Sequence, residues 1–270
     1  MPNFYAHICF CLAVRRRLPP SLRAVLTAER DAFLCGGFGP DPLYFYTGRH
    51  SAGAIRQAGL SLHHHSGAAA MEPFRAPVLE KRPFAVSFSA GYLLHFLLDS
   101  RCHPYVHQVV DQGEITHFAL EGEYDRYLLQ RDKLNYREAL PKKDLPASFY
   151  ALAAEMADAV TPEIYQTALR EFRWMSLKFG DWVGKPVRHA VNAVSHVPSA
   201  RPIRGMILGQ EPREDCLAHV QELDRLFCEA VETAAVEMGR FFGAIEQGMP
   251  FSEALGRDFS GKEEEECGLH

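Results

Sequence analysis

An all-α fold is what this sequence predicts, on three observations. Apolar residues recur at three- and four-residue steps, most clearly over residues 215–247, where Leu223, Leu226, Ala230, Ala234 and Met238 fall on one face. Proline and glycine punctuate the chain at spacings that suit helix starts and stops. No segment alternates apolar and polar residues as a half-buried strand would, and no internal repeat is present. With 270 residues, 47% of them hydrophobic, the chain is long enough to bury a full core.

The elements follow in order. A helix over 4–18 starts after Pro2–Asn3 and stops at Pro19–Pro20. A second over 21–34 takes Ser21 as its N-cap and ends at Gly36–Gly37. Residues 38–46, FGPDPLYFY, form a turn or a short helix start. Residues 53–65 are weakly helical. Residues 84–99 are apolar almost all round, which marks a central buried helix. An amphipathic helix covers 114–131, and further helices cover 148–160, 162–179, 184–194 and 215–247. This organisation makes one domain over 1–256, with GKEEEECG in a disordered acidic tail over 257–270.

The net charge of −5 supplies no broad basic footprint for a stable nucleic-acid partner, although Arg15, Arg16 and Arg17 form a local patch. Seven cysteines, an odd number without a CxxC pair, indicate free thiols in a reducing compartment. Residues 1–13 lack the basic start of a signal peptide, and the longest apolar run, 83–98, is too short for a membrane span. A cytoplasmic protein is the expectation.

The chemistry concentrates between His95 and Glu121. His95, Asp99, His103, His117 and Glu121 are separated by four, four, fourteen and four residues. Residues four apart share a helix face, so His95–Asp99 and His117–Glu121 are two imidazole–carboxylate pairs. Imidazole and carboxylate are the nitrogen and oxygen ligands of zinc and similar divalent ions. Each pair has a plainer reading: a His–Asp hydrogen bond in a bundle, and a solvated face made by Glu121, Glu123 and Asp125. His103 precedes Pro104 and is expected at or beyond the end of its helix. Upstream, His7, Asp41 and the triplet His63, His64 and His65 are weaker candidates, readable as a core histidine, a turn residue and a polar surface. Cys11, four residues after His7, fits a small buried hydrophobe better than a ligand. Nine of the thirteen histidines lie within residues 1–117, which places the chemistry there and leaves the second half as scaffold.

Taken together, MPNFYAH, the GPD turn, GLSLH, HFLLDSRCHP and HFALEGEYDR resemble the zinc-dependent phospholipase C family of bacteria, itself related to the P1/S1 nucleases. By motif the resemblance spans roughly residues 2–130. It implies a helical domain with a trinuclear metal cleft. Asp41, His63 and His95 would bind one zinc with Asp99 bridging, and His103, His117 and Glu121 a second. His7, Asp99 and the N-terminus would bind the third. His64 is the alternative to His63, and His107 to His103. The secreted relatives start with a zinc-ligating tryptophan; here the resemblance implies removal of Met1, leaving Pro2 as the ligand. Three zinc ions are expected, two being the smaller alternative, and three carboxylates cannot neutralise even two divalent ions. Zinc brings the pKa of bound water to about 7, and adjacent metals clamp the oxygens of an in-line displacement at phosphorus. The implied activity is phosphoester hydrolysis, with Asp41 and Asp99 as catalytic residues and Asp41 orienting or deprotonating water. The substrate is a phospholipid or another phosphodiester, reached through transient membrane-surface contact in the first case. The alternatives are a P1/S1-like nuclease and a non-catalytic zinc-binding helical protein; the sequence is silent on oligomeric state.

Overall fold

The computed structural model describes residues 4–48, 51–113, 115–141, 144–180 and 211–263. In chain order the helices are α1 (Phe4–Arg15), α2 (Pro20–Ala28), α3 (Arg30–Gly36), α4 (Ala52–His63), α5 (Gly67–Met71) and α6 (Arg75–Leu79). They continue as α7 (Ala85–Asp111), α8 (His117–Asp132), α9 (Tyr136–Ala139), α10 (Ala147–Ala154), α11 (Pro162–Gly180) and α12 (Leu217–Gln247). Asp41–Phe45 forms a 3-10 turn between α3 and α4. The fold is all-α; among the described residues the only β interaction is an isolated bridge between Arg257 and Glu263.

α7 is the axis. Its sequence has no consistently polar face, so it can satisfy its side chains only by being surrounded. Phe88, Tyr92, Leu93, Leu94, His95 and Phe96 are all fully buried. α3, α12, α1, α8 and α5 pack around it. The α3 crossing is the closest, because small residues meet there. A Cβ on Gly36 would lie 2.2 Å from the Phe88 carbonyl oxygen, and one on Gly91 would lie 2.1 Å from that of Phe33. This backbone-to-backbone contact brings the segment after α3, with Gly37, Gly39 and Asp41, over the middle of α7.

α12 matches the expected periodic helix and lays Leu223, Phe227, Ala230, Ala234, Met238 and Phe241 against the core. The larger of these, Leu223, Phe227, Met238 and Phe241, each contribute about 1.5–3 kcal/mol on burial. Phe227 meets Phe10 of α1 edge-on, with ring centroids 5.4 Å apart. The helix ends at Gly248, whose φ of 63° is the left-handed C-terminal conformation that glycine adopts without a steric penalty.

Several expected boundaries shift. The single helix over 21–34 is two, α2 and α3, broken at Glu29. Ser21 is not its cap, because the helix starts at Pro20, whose fixed φ suits a first turn. α7 runs twelve residues past Asp99 to Asp111, through Pro104. Proline removes one main-chain bond, but the packed neighbours of α7 outweigh that loss. α8 starts at His117, capped by Thr116, whose Oγ1 accepts from the Ala119 N–H at 3.3 Å. The helix expected over 184–194 lies outside the described residues.

Residues 257–263, placed by composition in a disordered tail, are folded. Phe259 is fully buried, and the Gly67 N–H donates to the Arg257 carbonyl at 2.8 Å. A large aromatic outweighs the polarity of its neighbours once it finds a pocket. Residues 264–270 lie outside the described residues. No described helix is long and apolar enough to cross a membrane, and the six described cysteines are free thiols, all but Cys228 buried.

Candidate metal centre

α7 carries the spine of the site. His95, Asp99 and His103 stand one turn apart and face the same side, because Pro104 does not end the helix. His103 is therefore inside α7, a correction to its expected place at the helix end. α1 brings His7 to this face, the Asp41–Phe45 turn brings Asp41, the last residue of α4 is His63, and the first turn and a half of α8 carries His117 and Glu121. His7, Asp41, His63, His95, Asp99, His103 and Glu121 are all buried, and His117 is partly exposed.

The distances define three adjoining groups. His63 Nε2 lies 3.1 Å and His95 Nε2 3.8 Å from Asp41 Oδ1. His95 Nε2 lies 3.2 Å from Asp99 Oδ2, and His7 Nε2 lies 3.2 Å from Asp99 Oδ1. His103 Nε2 lies 3.2 Å and His117 Nε2 2.9 Å from Glu121 Oε1. In each trio the candidate ligand atoms fall within 4.8 Å of one another. Asp99 joins the groups: one oxygen faces His95, and the other faces His7 and, at 3.7 Å, His103.

The residues fit a divalent cation by a specific test. The Nε2 atoms of His95 and His117 are buried and make no hydrogen bond, despite carboxylate oxygens at 3.2 and 2.9 Å. His63 Nε2 and His103 Nε2, by contrast, hydrogen-bond to Asp41 and Glu121. Buried nitrogens without a partner beside carboxylate oxygens suit a cation that both could bind.

The opposite ring nitrogens are anchored. His63 Nδ1 donates to the Gly59 carbonyl at 2.8 Å, with the Tyr44 hydroxyl 3.0 Å away. His95 Nδ1 donates to the Gly37 carbonyl at 3.2 Å, and His103 Nδ1 to the Phe259 carbonyl at 2.9 Å. A proton held on Nδ1 leaves the Nε2 lone pair turned into the cluster, the arrangement that orients histidine ligands. Gly39 is required beside His95: its φ is +54°, and a Cβ there would sit 2.3 Å from the ring's Cδ2.

Burial alone would push the Asp99 carboxyl up, but the imidazoles of His103, His95 and His7 hold it well below the usual carboxylate range. Glu121 behaves likewise: His117 and His103 override the effect of burial. For His103, burial favours the neutral ring, yet Asp99 and Glu121 together push it up to about 9. The cluster attracts positive charge, whether as protons or as metal ions.

Some expected residues fall elsewhere. His64 and His65 are exposed, so the triplet sends only its first member inward. His107 stacks on His103 at 5.6 Å between centroids but belongs to none of the three groups. Cys11 is buried against Gly37 and is also outside them. Pro2 lies outside the described residues. The solvated face proposed for Glu121, Glu123 and Asp125 does not exist, because all three are buried. Glu123 accepts from Arg126 at 2.8 Å, and Asp125 accepts from the Tyr5 and Ala6 amides at 2.9 and 2.8 Å, capping α1. Sequence reasoning missed Phe259, because a tail of mixed polarity carries no signal that its backbone meets a histidine.

Fold and site together define a helical protein whose buried imidazole–carboxylate cluster is able to hold more than one divalent ion. The chain matches the zinc dependent phospholipase C family over residues 6–169, more than half its length, and it belongs to that family. That stretch contains His7, Asp41, His63, His95, Asp99, His103, His117 and Glu121. No curated protein and no solved structure matches the chain. Membership makes zinc the metal and a metal-dependent phosphoesterase the activity at the level of the family.

Proposed function

We propose that this protein is a zinc-dependent phosphodiesterase of the phospholipase C type that holds three zinc ions, two being the smaller alternative. In this reading Asp41, His63 and His95 hold one ion and Asp99 bridges. His103, His117 and Glu121 hold a second. His7, Asp99 and the N-terminal residue, Pro2 after removal of Met1, hold the third. The observation that supports it is the gathering of imidazole nitrogens and carboxylate oxygens into three trios, each within 4.8 Å, with the buried Nε2 of His95 and of His117 left without a hydrogen-bond partner.

Zinc bound here would acidify water and polarise a phosphoryl oxygen. The residues supply the rest. Asp41 orients the attacking water and takes its proton on a carboxylate oxygen. Asp99 keeps the groups in one register through its two oxygens. Gly59, Gly37 and Phe259 hold the tautomers of His63, His95 and His103, so those three rings need not turn when substrate arrives. His117, whose side chain is 26% exposed, marks the open end of the centre. A phosphoester enters there, and a phospholipid head-group ester at a membrane surface is the favoured substrate.

The test is elemental analysis of the untagged protein, followed by assays on phosphatidylcholine, bis-p-nitrophenyl phosphate and single-stranded DNA. Two or three zinc ions with cleavage of a diester, abolished in Asp99→Ala, is the expected result. Cleavage of DNA but not lipid would move the protein to the nuclease side. Protein that carries no divalent metal after growth in excess zinc would end the proposal. Retained Met1 in the intact mass would remove Pro2 from the ligand set.

A further inference from the structure

The segment from Arg257 to Glu263 lies outside the region matched to the family, yet it crosses the metal centre. We propose that it is a strap that retains the metal, with Phe259 as a positioning residue for three of the imidazoles. The inference rests on the metal centre proposed above and adds a part of the chain to it.

Four observations converge. The Phe259 carbonyl is the acceptor for His103 Nδ1 at 2.9 Å. The Phe259 N–H donates to the His63 carbonyl at 3.2 Å, so one residue is tied to both ends of the cluster. Its ring lies over His63 and His95, with centroids 5.0 and 5.8 Å away, and against Phe96 at 5.1 Å. The segment is also built to keep its shape. Asp258 Oδ1 accepts from the Ser260 and Lys262 amides at 2.8 and 2.9 Å, and the Asp258 N–H donates to the Lys262 carbonyl at 2.8 Å. Gly261, with φ +76°, lets this loop rest on the Pro104 step of α7; a Cβ there would be 2.6 Å from the Ser100 carbonyl oxygen.

A backbone carbonyl that fixes a ligand's tautomer raises affinity without touching the ion, and losing such a partner typically costs roughly 10–100-fold. The apolar ring over His63 and His95 keeps water from competing for their nitrogens. Displacing the strap therefore loosens the His63–His95 group and the His103 group together, although every candidate ligand side chain is still present.

The experiment measures the rate of zinc release to a chromogenic chelator from the full-length, zinc-loaded protein. Gly261→Val pushes the loop off α7, Asp258→Ala removes its internal bonds, and Phe259→Ala removes the ring. None of the three changes a candidate ligand. Release at least about tenfold faster than wild type is expected for Gly261→Val and Phe259→Ala, with a smaller acceleration for Asp258→Ala. Phe259→Leu, which keeps a large apolar side chain and the carbonyl, is expected to restore most of the retention. Leu152→Ala, in the buried face of α10, lowers the melting temperature but leaves the release rate alone. If Gly261→Val does not fold, the Phe259 pair and Asp258→Ala decide the matter. Wild-type release rates in Phe259→Ala and Asp258→Ala would overturn the strap while leaving the metal centre intact. A wild-type protein that holds no zinc would overturn both.

Discussion

The two ends of the cluster differ in how they are held. At the deep end, His63 and His95 each have Nδ1 tied to a main-chain carbonyl of a neighbouring turn, and Asp41 is 3% exposed. At the shallow end, His117 is a quarter exposed, and only His103 has a main-chain anchor, which comes from residue 259. Both ends use the same residue types at similar separations. The difference teaches that the identity of the candidate ligands is a property of the local sequence, whereas their rigidity depends on what packs behind each ring.

The comparison can be broken at the joint between the ends. Asp99→Ala removes the one side chain that faces both, and diesterase activity should fall by roughly 10³-fold or more, with loss of zinc by elemental analysis. Retention of full zinc and activity would mean that the ends work independently. The next largest effect separates them. His63→Ala should lose zinc and also destabilise the metal-free protein by about 3 kcal/mol, because it leaves Asp41 buried beside fewer partners. His117→Ala should lose zinc from the open end and destabilise less, because the buried Glu121 keeps its hydrogen bond to His103 at 3.2 Å while Asp41 would keep only His95 at 3.8 Å. Denaturant unfolding of the two metal-free variants distinguishes these outcomes; equal destabilisation would erase the contrast.

Gly39→Ala probes the deep end without touching a ligand. The positive φ and the collision with the His95 ring should cost about 2 kcal/mol and turn the ring off its position. A melting temperature unchanged from wild type would show that the loop relaxes freely. The shallow end responds to pH. In the metal-free protein His103 sits at about 9 against an ordinary value of 6.5. Its stabilisation is complete below pH 6.5 and is lost as pH rises to 9, so the metal-free protein should unfold more easily across that window. Asp99 and Glu121, shifted downward, act at the acid end, and their stabilisation fades as pH falls below the carboxylate range. In the proposed centre zinc would take the place of the His103 proton, so loaded protein should not weaken between pH 6.5 and 9. Parallel decline of both forms would contradict this. The smallest effect is expected from Tyr44→Phe. Gly59 still holds His63 Nδ1, so zinc affinity should fall by less than about tenfold in a competition titration.

The helices were legible where periodicity is strong, and α11 and α12 lie within a few residues of the sequence reading. The i,i+4 pairs of α7 and α8 were legible because helical spacing is local. The end of α7 was not, since Pro104 is a helix breaker on propensity alone and its survival depends on neighbours distant in sequence. His63 was favoured over His64 by motif order; α4 ends with His63 buried and leaves His64 exposed, which local spacing alone does not settle. Asp125 was invisible as a cap for α1, because its bonds span about 120 residues.

By itself the sequence determined the helical class, the family and the set of imidazoles and carboxylates with chemical reason to meet. Only the tertiary structure decided which nitrogen of each ring faces the cluster, that Asp99 looks both ways, and that Phe259 belongs to the centre. Spacing along a helix encodes which side chains share a face. Anchoring carbonyls come from backbone that carries no residue-specific signature, and that of Gly37 reaches His95 where Gly36 and Gly91 let two backbones touch.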